Sequence, residues 1–167
     1  MSAITRKFSL LAALVAMFLS SLTVPVLADG HATAIIQPLR FGEVVPIIGS
    51  CEMDFNNGSF TPDFNNTCPA KLGSPGQYKI IVEKNTLVRI TPFTFTYAGN
   101  LFTFTPSGEV TNGVETKALV PNNATIIDSG STGIIDMKVG GLLNVTVPLT
   151  TSNSYIVDLE VDIVVVP

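Results

Sequence analysis

The amino-acid sequence predicts an all-β protein, an antiparallel β-sandwich of about ten short strands carrying one disulfide. Three observations lead there. Beyond residue 28 no segment holds an apolar period of 3.6 residues, and Thr, Val, Ile and Phe recur instead, punctuated by Gly, Pro and Asn. The last stretch alternates cleanly: Tyr155, Val157, Leu159, Val161, Ile163 and Val165 fall on one face, and Asp158, Glu160 and Asp162 on the other. That is a long antiparallel strand with one face in a core. The only two cysteines, Cys51 and Cys68, make an even count in a chain that carries an export signal, which reads as one disulfide.

The export signal comes first along the chain. Arg6 and Lys7 precede an apolar stretch from Phe8 to Leu22, and Pro25 leads into Val26-Leu27-Ala28, small residues at the end of the pattern. This is the layout of a secretory signal peptide, residues 1–28, cut between Ala28 and Asp29. The apolar run is short for a membrane span of roughly 20 residues, and nothing after residue 28 is long enough to cross a bilayer as a helix. The mature chain, 29–167, is read as a single β-sandwich domain. It loses two of nine basic residues against thirteen acids, which leaves a net charge of −6.

Strands are predicted next at Ala34–Gln37, Glu43–Ile48, Gln77–Glu83, Leu87–Thr91, Lys117–Val120 and Thr125–Asp128, with Ser50–Pro75 a polar loop tied by the disulfide. Ala32, Ala34 and Ile36 alternate in the segment Asp29–Gln37. That arm either forms the first strand of its own sandwich or adds to a neighbour's sheet edge. Phe93–Thr105 reads as a hairpin. A four-residue loop, Ala98-Gly99-Asn100-Leu101, sets Tyr97 opposite Phe102 and Phe95 opposite Phe104, so that the aromatics share a core face and the threonines the other. A second hairpin is expected at Gly140-Gly141. Pairing Val139 with Leu143, Met137 with Val145 and Ile135 with Val147 keeps one face apolar, which asks for a three-residue connection or a bulge.

Composition excludes several functions. With 46% hydrophobic and 13% charged residues the chain is not intrinsically disordered. A net charge of −4 and a pI near 4.8 exclude an electrostatic nucleic-acid binder. The single histidine, His31, stands near the start of the mature chain, where a catalytic triad is not expected. The carboxylates are scattered over polar strand faces, as solubility requires, and no acid/base couple stands out. Asp54-Phe55-Asn56-Asn57-Gly58 faintly resembles a calcium loop but lacks the downstream bidentate Glu, so an ordinary turn is expected. Four glycosylation patterns begin at Asn57, Asn65, Asn123 and Asn144, at a frequency that chance explains in an Asn-rich chain. No cofactor, metal site or catalytic residue is expected.

Two short motifs carry a resemblance that runs from about Ala34 to Val166. Ile36-Gln37-Pro38-Leu39-Arg40-Phe41-Gly42 resembles the Leu-Ser-Phe-Gly motif of the bacterial domain of unknown function 4402 family, with Arg40 in place of Ser. Val139-Gly140-Gly141-Leu142-Leu143 resembles its Gly-Gly-Thr-Leu motif, with Leu142 in place of Thr. Pro38, Leu39, Phe41, Gly42, Gly140, Gly141 and Leu143 are the matching positions. The resemblance implies an exported β protein, immunoglobulin-like or pilin-like in fold, with no catalytic residue to carry over. It also implies a kinship with small bacterial surface subunits, which associate with themselves or with related subunits. The expectation is therefore a non-catalytic cell-surface structural or adhesive protein of fimbrial type that assembles by strand addition. It would be secreted or held in the cell envelope, between periplasm and surface. The alternative is a secreted monomeric module that binds a carbohydrate or another surface ligand.

Overall fold

A computed structural model describes residues 30–42, 45–65, 67–69, 71–150, 157 and 159–167. The signal peptide, the cleavage site Ala28–Asp29, and Tyr155 and Asp158 of the last predicted strand lie outside the described residues. Eleven strands are described: β1 His31–Gln37, β2 Gly49–Met53, β3 Phe60–Phe64, β4 Gly76–Val82, β5 Leu87–Pro92, β6 Phe95–Thr96, β7 Phe102–Thr111, β8 Thr116–Leu119, β9 Thr125–Asp128, β10 Ile134–Val145 and β11 Val161–Val166. All pairings are antiparallel, and the helical content among the described residues is two 3₁₀ turns, Ala98–Asn100 and Gly130–Thr132. Eight strands form one sheet and β11-β5-β9 form a second.

The large sheet is organised by its two longest strands. β7 and β10 pair over ten positions, from Asp136 opposite Thr111 to Val145 opposite Phe102. On its other edge β10 changes partner midway: Ile134–Val139 pair with β4, and Gly141–Val145 pair with β2. β7 does the same, pairing with β6 near Phe104 and with β8 from Gly108 onwards. One half-sheet is thus β1-β4-β10-β7-β8, and the other is β3-β2-β10-β7-β6.

Each half has its own core. In β7 every even residue from Phe102 to Val110 is buried, and in β10 Ile135, Met137, Val139, Leu143 and Val145 are buried, so the pleat sends one face of both strands inward. The first half packs face to face on the small sheet, with Ile80, Ile135 and Val110 of one layer meeting Val88, Ile90 and Ile127 of the other. This is the layout of a β-sandwich. The second half gathers Phe41, Met53, Phe102, Phe104, Leu143 and Val145. Phe41 meets Phe104 edge-on at 5.6 Å and Phe60 at 5.8 Å, and Tyr97 stacks on Phe102 at 4.9 Å.

The predicted hairpin at Gly140-Gly141 does not exist: both glycines lie inside the single straight strand β10. The parity that suggested a turn is preserved, because residues 139, 143 and 145 share a face whether the strand folds back or runs on. The glycines serve close backbone approach instead. A Cβ on Gly140 would strike the Met53 carbonyl and the Phe55 amide, and Gly141, opposite Pro106, holds φ of 140°.

Two further expectations need correction. Ser50–Pro75 is not a loop throughout, since it contains most of β2 and all of β3, a hairpin whose Cys51, Met53 and Phe60 reach the core. Of the predicted strand Glu43–Ile48, Glu43 and Val44 lie outside the described residues, Val45 has no regular structure, and Pro46, Ile47 and Ile48 form bends. Pro46 supplies no ladder donor there, and Val45, Ile47 and Ile48 remain exposed, so the strand starts only at Gly49. The predicted aromatic hairpin holds its register, with Phe95 opposite Phe104 and the Tyr97 amide donating to the Phe102 carbonyl. Phe93 departs from it, because its amide donates to Glu160 and so extends the pairing of β5 with the last strand.

Candidate functional site

The sequence singled out chemistry-bearing residues that the structure puts to structural use. The Asp54 carboxylate accepts the amides of Asn56 at 2.7 Å and Asn57 at 3.4 Å, closing the turn between β2 and β3. Among the described residues no group of three or more His, Cys, Asp or Glu is arranged to hold a metal. Acids on the outer face pair with bases across strands, as in Lys79–Asp136 at 2.6 Å and Lys138–Glu109 at 3.2 Å. The threonine face of the aromatic hairpin is interrupted, since Thr94 is tied to Asn122 through both its amide and its hydroxyl. Cys51 and Cys68 form the disulfide, joining β2 to the segment that follows β3 with Cα atoms 5.1 Å apart.

The two resemblance motifs meet in the aromatic core. Arg40 exchanges backbone hydrogen bonds with Ser74 at 2.8 Å, which turns Phe41 inward beside Leu39 and Leu143. Pro38 offers its carbonyl to the Ser74 hydroxyl, and Gly42 holds φ of 76° where the chain leaves this contact. Gly140 and Gly141 stand just ahead of Leu143 in β10. These positions hold the fold, and none of them lines the groove between β1 and β11.

The cavity lies elsewhere, along one open side of the sandwich between β1 and β11. It is a groove of about 690 Å³ lined by His31, Thr33 and Ile35 of β1, Tyr78, Met137, Leu159, and Val161 to Val165 of β11 with Asp162 among them. Its size falls in the range of binding clefts. The register explains its floor. Thr33 stands opposite Ile80 and Ile35 opposite Tyr78, so β1 turns these side chains to the same face as the core of β4. The small sheet does not reach over them: Ile35 points to the core side and is still 67% exposed. Ala32 and Ala34 fall on the outer face beside Ile81 and Lys79. The arm Asp29–Gln37, from His31 on, is therefore the first strand of its own sheet, with its alternating alanines turned outward.

Among the described strands, β1 and β11 are each the last of their sheet on this side. The Phe93 amide donates to Glu160 at 2.9 Å, which fixes the phase of the ladder between β5 and β11. Asp162 and Val164 then bond to β5, while the amides and carbonyls of Val161, Ile163 and Val165 point away from it, toward the groove. Likewise the Val82 amide donates to Gly133, so Ile81 and Lys79 bond to Ala32 and Ala34, and the backbone groups of Thr33 and Ile35 point outward. Among the described residues no strand pairs with either edge. Gly30 packs on Val165, where its Cβ position is 3.4 Å from the valine methyl, and closes the groove at that end. The opposite side of the sandwich is shut: Lys117 donates to the Ile126 carbonyl at 2.7 Å and Thr125 to the Ala118 carbonyl at 3.0 Å, stitching β8 to β9.

Tyr78 lines the groove with a displaced pKa. Burial pushes its phenol up from the ordinary value of 10.0, against the weaker pull of a hydrogen bond from the Leu39 backbone. Sequence reasoning missed the groove because it depends on how far one sheet overlaps another. The one signal available was the final alternating strand, whose apolar face needs more cover than its own sheet provides. No helix among the described residues is long and apolar enough to cross a membrane. Compared with protein-family models, with curated proteins and with solved structures, the chain matches none.

Proposed function

We propose that the protein is an exported, non-catalytic cell-surface subunit of fimbrial type, structural or adhesive, which joins other subunits by strand addition. The observation that supports this reading best is the open side of the sandwich. There the backbone edge of β11 runs along an apolar groove whose floor, around Ile35, is left uncovered. An unpaired edge over an apolar slot is what β-augmentation requires, with main-chain hydrogen bonds for affinity and alternate side-chain positions for specificity. A soluble protein that kept such an edge unused would carry an aggregation hazard. The disulfide agrees with passage through an oxidising compartment, and the signal-peptide pattern supplies the route. The strongly exposed large apolar residues among those described are aliphatic, so no exposed aromatic platform favours carbohydrate binding.

Expression in a secreting bacterial host, followed by fractionation and electron microscopy with antibody labelling, tests the reading. Label on surface structures or in sheared surface fractions is the expected result. A protein found only as a free monomer in the medium, never in a surface fraction, would overturn it.

A further inference from the structure

We propose that the Asn57-Gly58 turn between β2 and β3 is a self-modification site, where the chain slowly converts Asn57 to aspartate or isoaspartate and so loosens the β2–β3 hairpin with age. The inference stands apart from the surface reading above, since it needs no partner but water.

Asn-Gly occurs twice in the sequence, at Asn57-Gly58 and at Asn112-Gly113. A glycine after asparagine has no Cβ to keep its backbone nitrogen from the side-chain carbonyl carbon. Hydroxide takes the glycine amide proton, and the nitrogen forms a bond to Cγ. The Cγ–Nδ2 bond then breaks, and Nδ2 leaves as ammonia with protons from water. Water opens the resulting five-membered imide at either carbonyl. One opening leaves aspartate. The other leaves isoaspartate, whose backbone is longer by a methylene.

The fold treats the two sites differently. Both glycine amides are hydrogen-bonded, Gly58 to the Asp54 carbonyl at 2.9 Å and Gly113 to the Thr111 hydroxyl at 3.1 Å, so that cost is shared. Each Oδ1 accepts a backbone amide where the reaction builds negative charge, from Ser59 at 2.8 Å and from Val114 at 2.8 Å. The leaving nitrogens differ. Asn112 is half-buried, its Nδ2 donates to the Asp128 carbonyl at 2.9 Å, and its Oδ1 takes a second amide, from Glu115 at 2.7 Å. Asn57 is exposed, and among the described residues no acceptor holds its Nδ2. Ammonia leaves and water enters there freely. The extra anchor on Asn112 sets a rate difference of about tenfold.

The turn is poorly built to absorb the product. The Asp54 carboxylate already accepts the amides of Asn56 and Asn57, and a new carboxylate at position 57 stands close to it. Gly58 is buried, and its carbonyl accepts the Gly73 amide at 2.8 Å. Gly73 in turn lies against Met53 and Phe60 of the aromatic core. The added methylene of isoaspartate displaces Gly58 from its bonds to Asp54 and Gly73.

The test incubates the purified, disulfide-intact mature protein in mildly alkaline buffer, beside a sample unfolded in guanidinium. Peptide mapping by mass spectrometry and an isoaspartyl assay follow each site over time. In the folded protein Asn57 should convert about tenfold faster than Asn112, and in the unfolded chain the two should convert alike. The aged protein should melt below the fresh one, whereas Asn57→Gln, aged in the same way, should keep its own starting midpoint. Equal rates at both sites in the folded protein, or an Asn57 that stays intact while the unfolded chain converts, would overturn the site. A converted protein that melts like the fresh one, or an equal loss in aged Asn57→Gln, would refute the loosening of the hairpin.

Discussion

Gly140 sits where the outer edge of β10 passes from β4 to β2, with the Met53 carbonyl in the place its side chain would take. Alanine there must push β2 away or bend β10, and close-packed backbone gives way poorly. Gly140→Ala should lower stability by about 1–3 kcal/mol, read as a reduced urea midpoint at unchanged slope. Tyr78 makes a second prediction at this scale. Its folded-state pKa lies above the unfolded value of 10.0, so above that pH the unfolded chain binds fewer protons than the folded one. The contribution is complete below pH 10, and stability falls as pH rises from there through the folded-state pKa. Tyr78→Phe should flatten that alkaline decline in denaturant titrations; an identical decline in both proteins would place its cause elsewhere. Ser129 illustrates a residue whose weight no sequence pattern conveys. It is fully buried, donates to the Glu83 carbonyl at 2.7 Å and accepts the Thr86 amide at 3.0 Å, so it holds the turn between β4 and β5.

Among the elements, the hairpin of β2 and β3 depends most on covalent support. Its turn is polar, and its strands lie on the flank of the large sheet. The Cys51–Cys68 bond, spanning a sequence separation of 17, should contribute on the order of 3 kcal/mol. Reduction, or Cys51→Ala with Cys68→Ala, should lower the thermal midpoint, whereas an unchanged midpoint would deny the bond a stabilising role. Local strand patterns are legible in the sequence: Thr125–Asp128 matches β9, and the aromatic hairpin keeps its register. β2 and β3 were hidden because Asp, Asn and Pro outnumber the few inward residues, Cys51, Met53 and Phe60. The run Val45–Ile48 misled in the opposite direction, since β-branched residues without a partner strand do not make a ladder.

At the scale of the whole molecule, β7 and β10 run through both cores, and Leu159 packs against each. Neither half can lose its strands without exposing the apolar face of the other. Unfolding should therefore be a single cooperative event. Far-ultraviolet circular dichroism, which reports all strands, and the near-ultraviolet signal, weighted to the half where Tyr97 stacks on Phe102, should give coincident denaturant curves. Separate midpoints would show that the halves fold independently.

The sequence by itself determined the class of fold, the disulfide pair and the parity of the inward residues, because alternation and cysteine count are local properties that survive any arrangement of strands. Only the tertiary structure decided that Gly140-Gly141 continues a strand, that β10 serves two partners on one edge, and that the small sheet stops short of β1. Each of these depends on which distant backbones approach, and two residues of equal parity look alike in sequence whether a chain turns between them or runs straight. The groove follows from the same cause: it is a difference in width between two sheets, and no single segment of the chain encodes it.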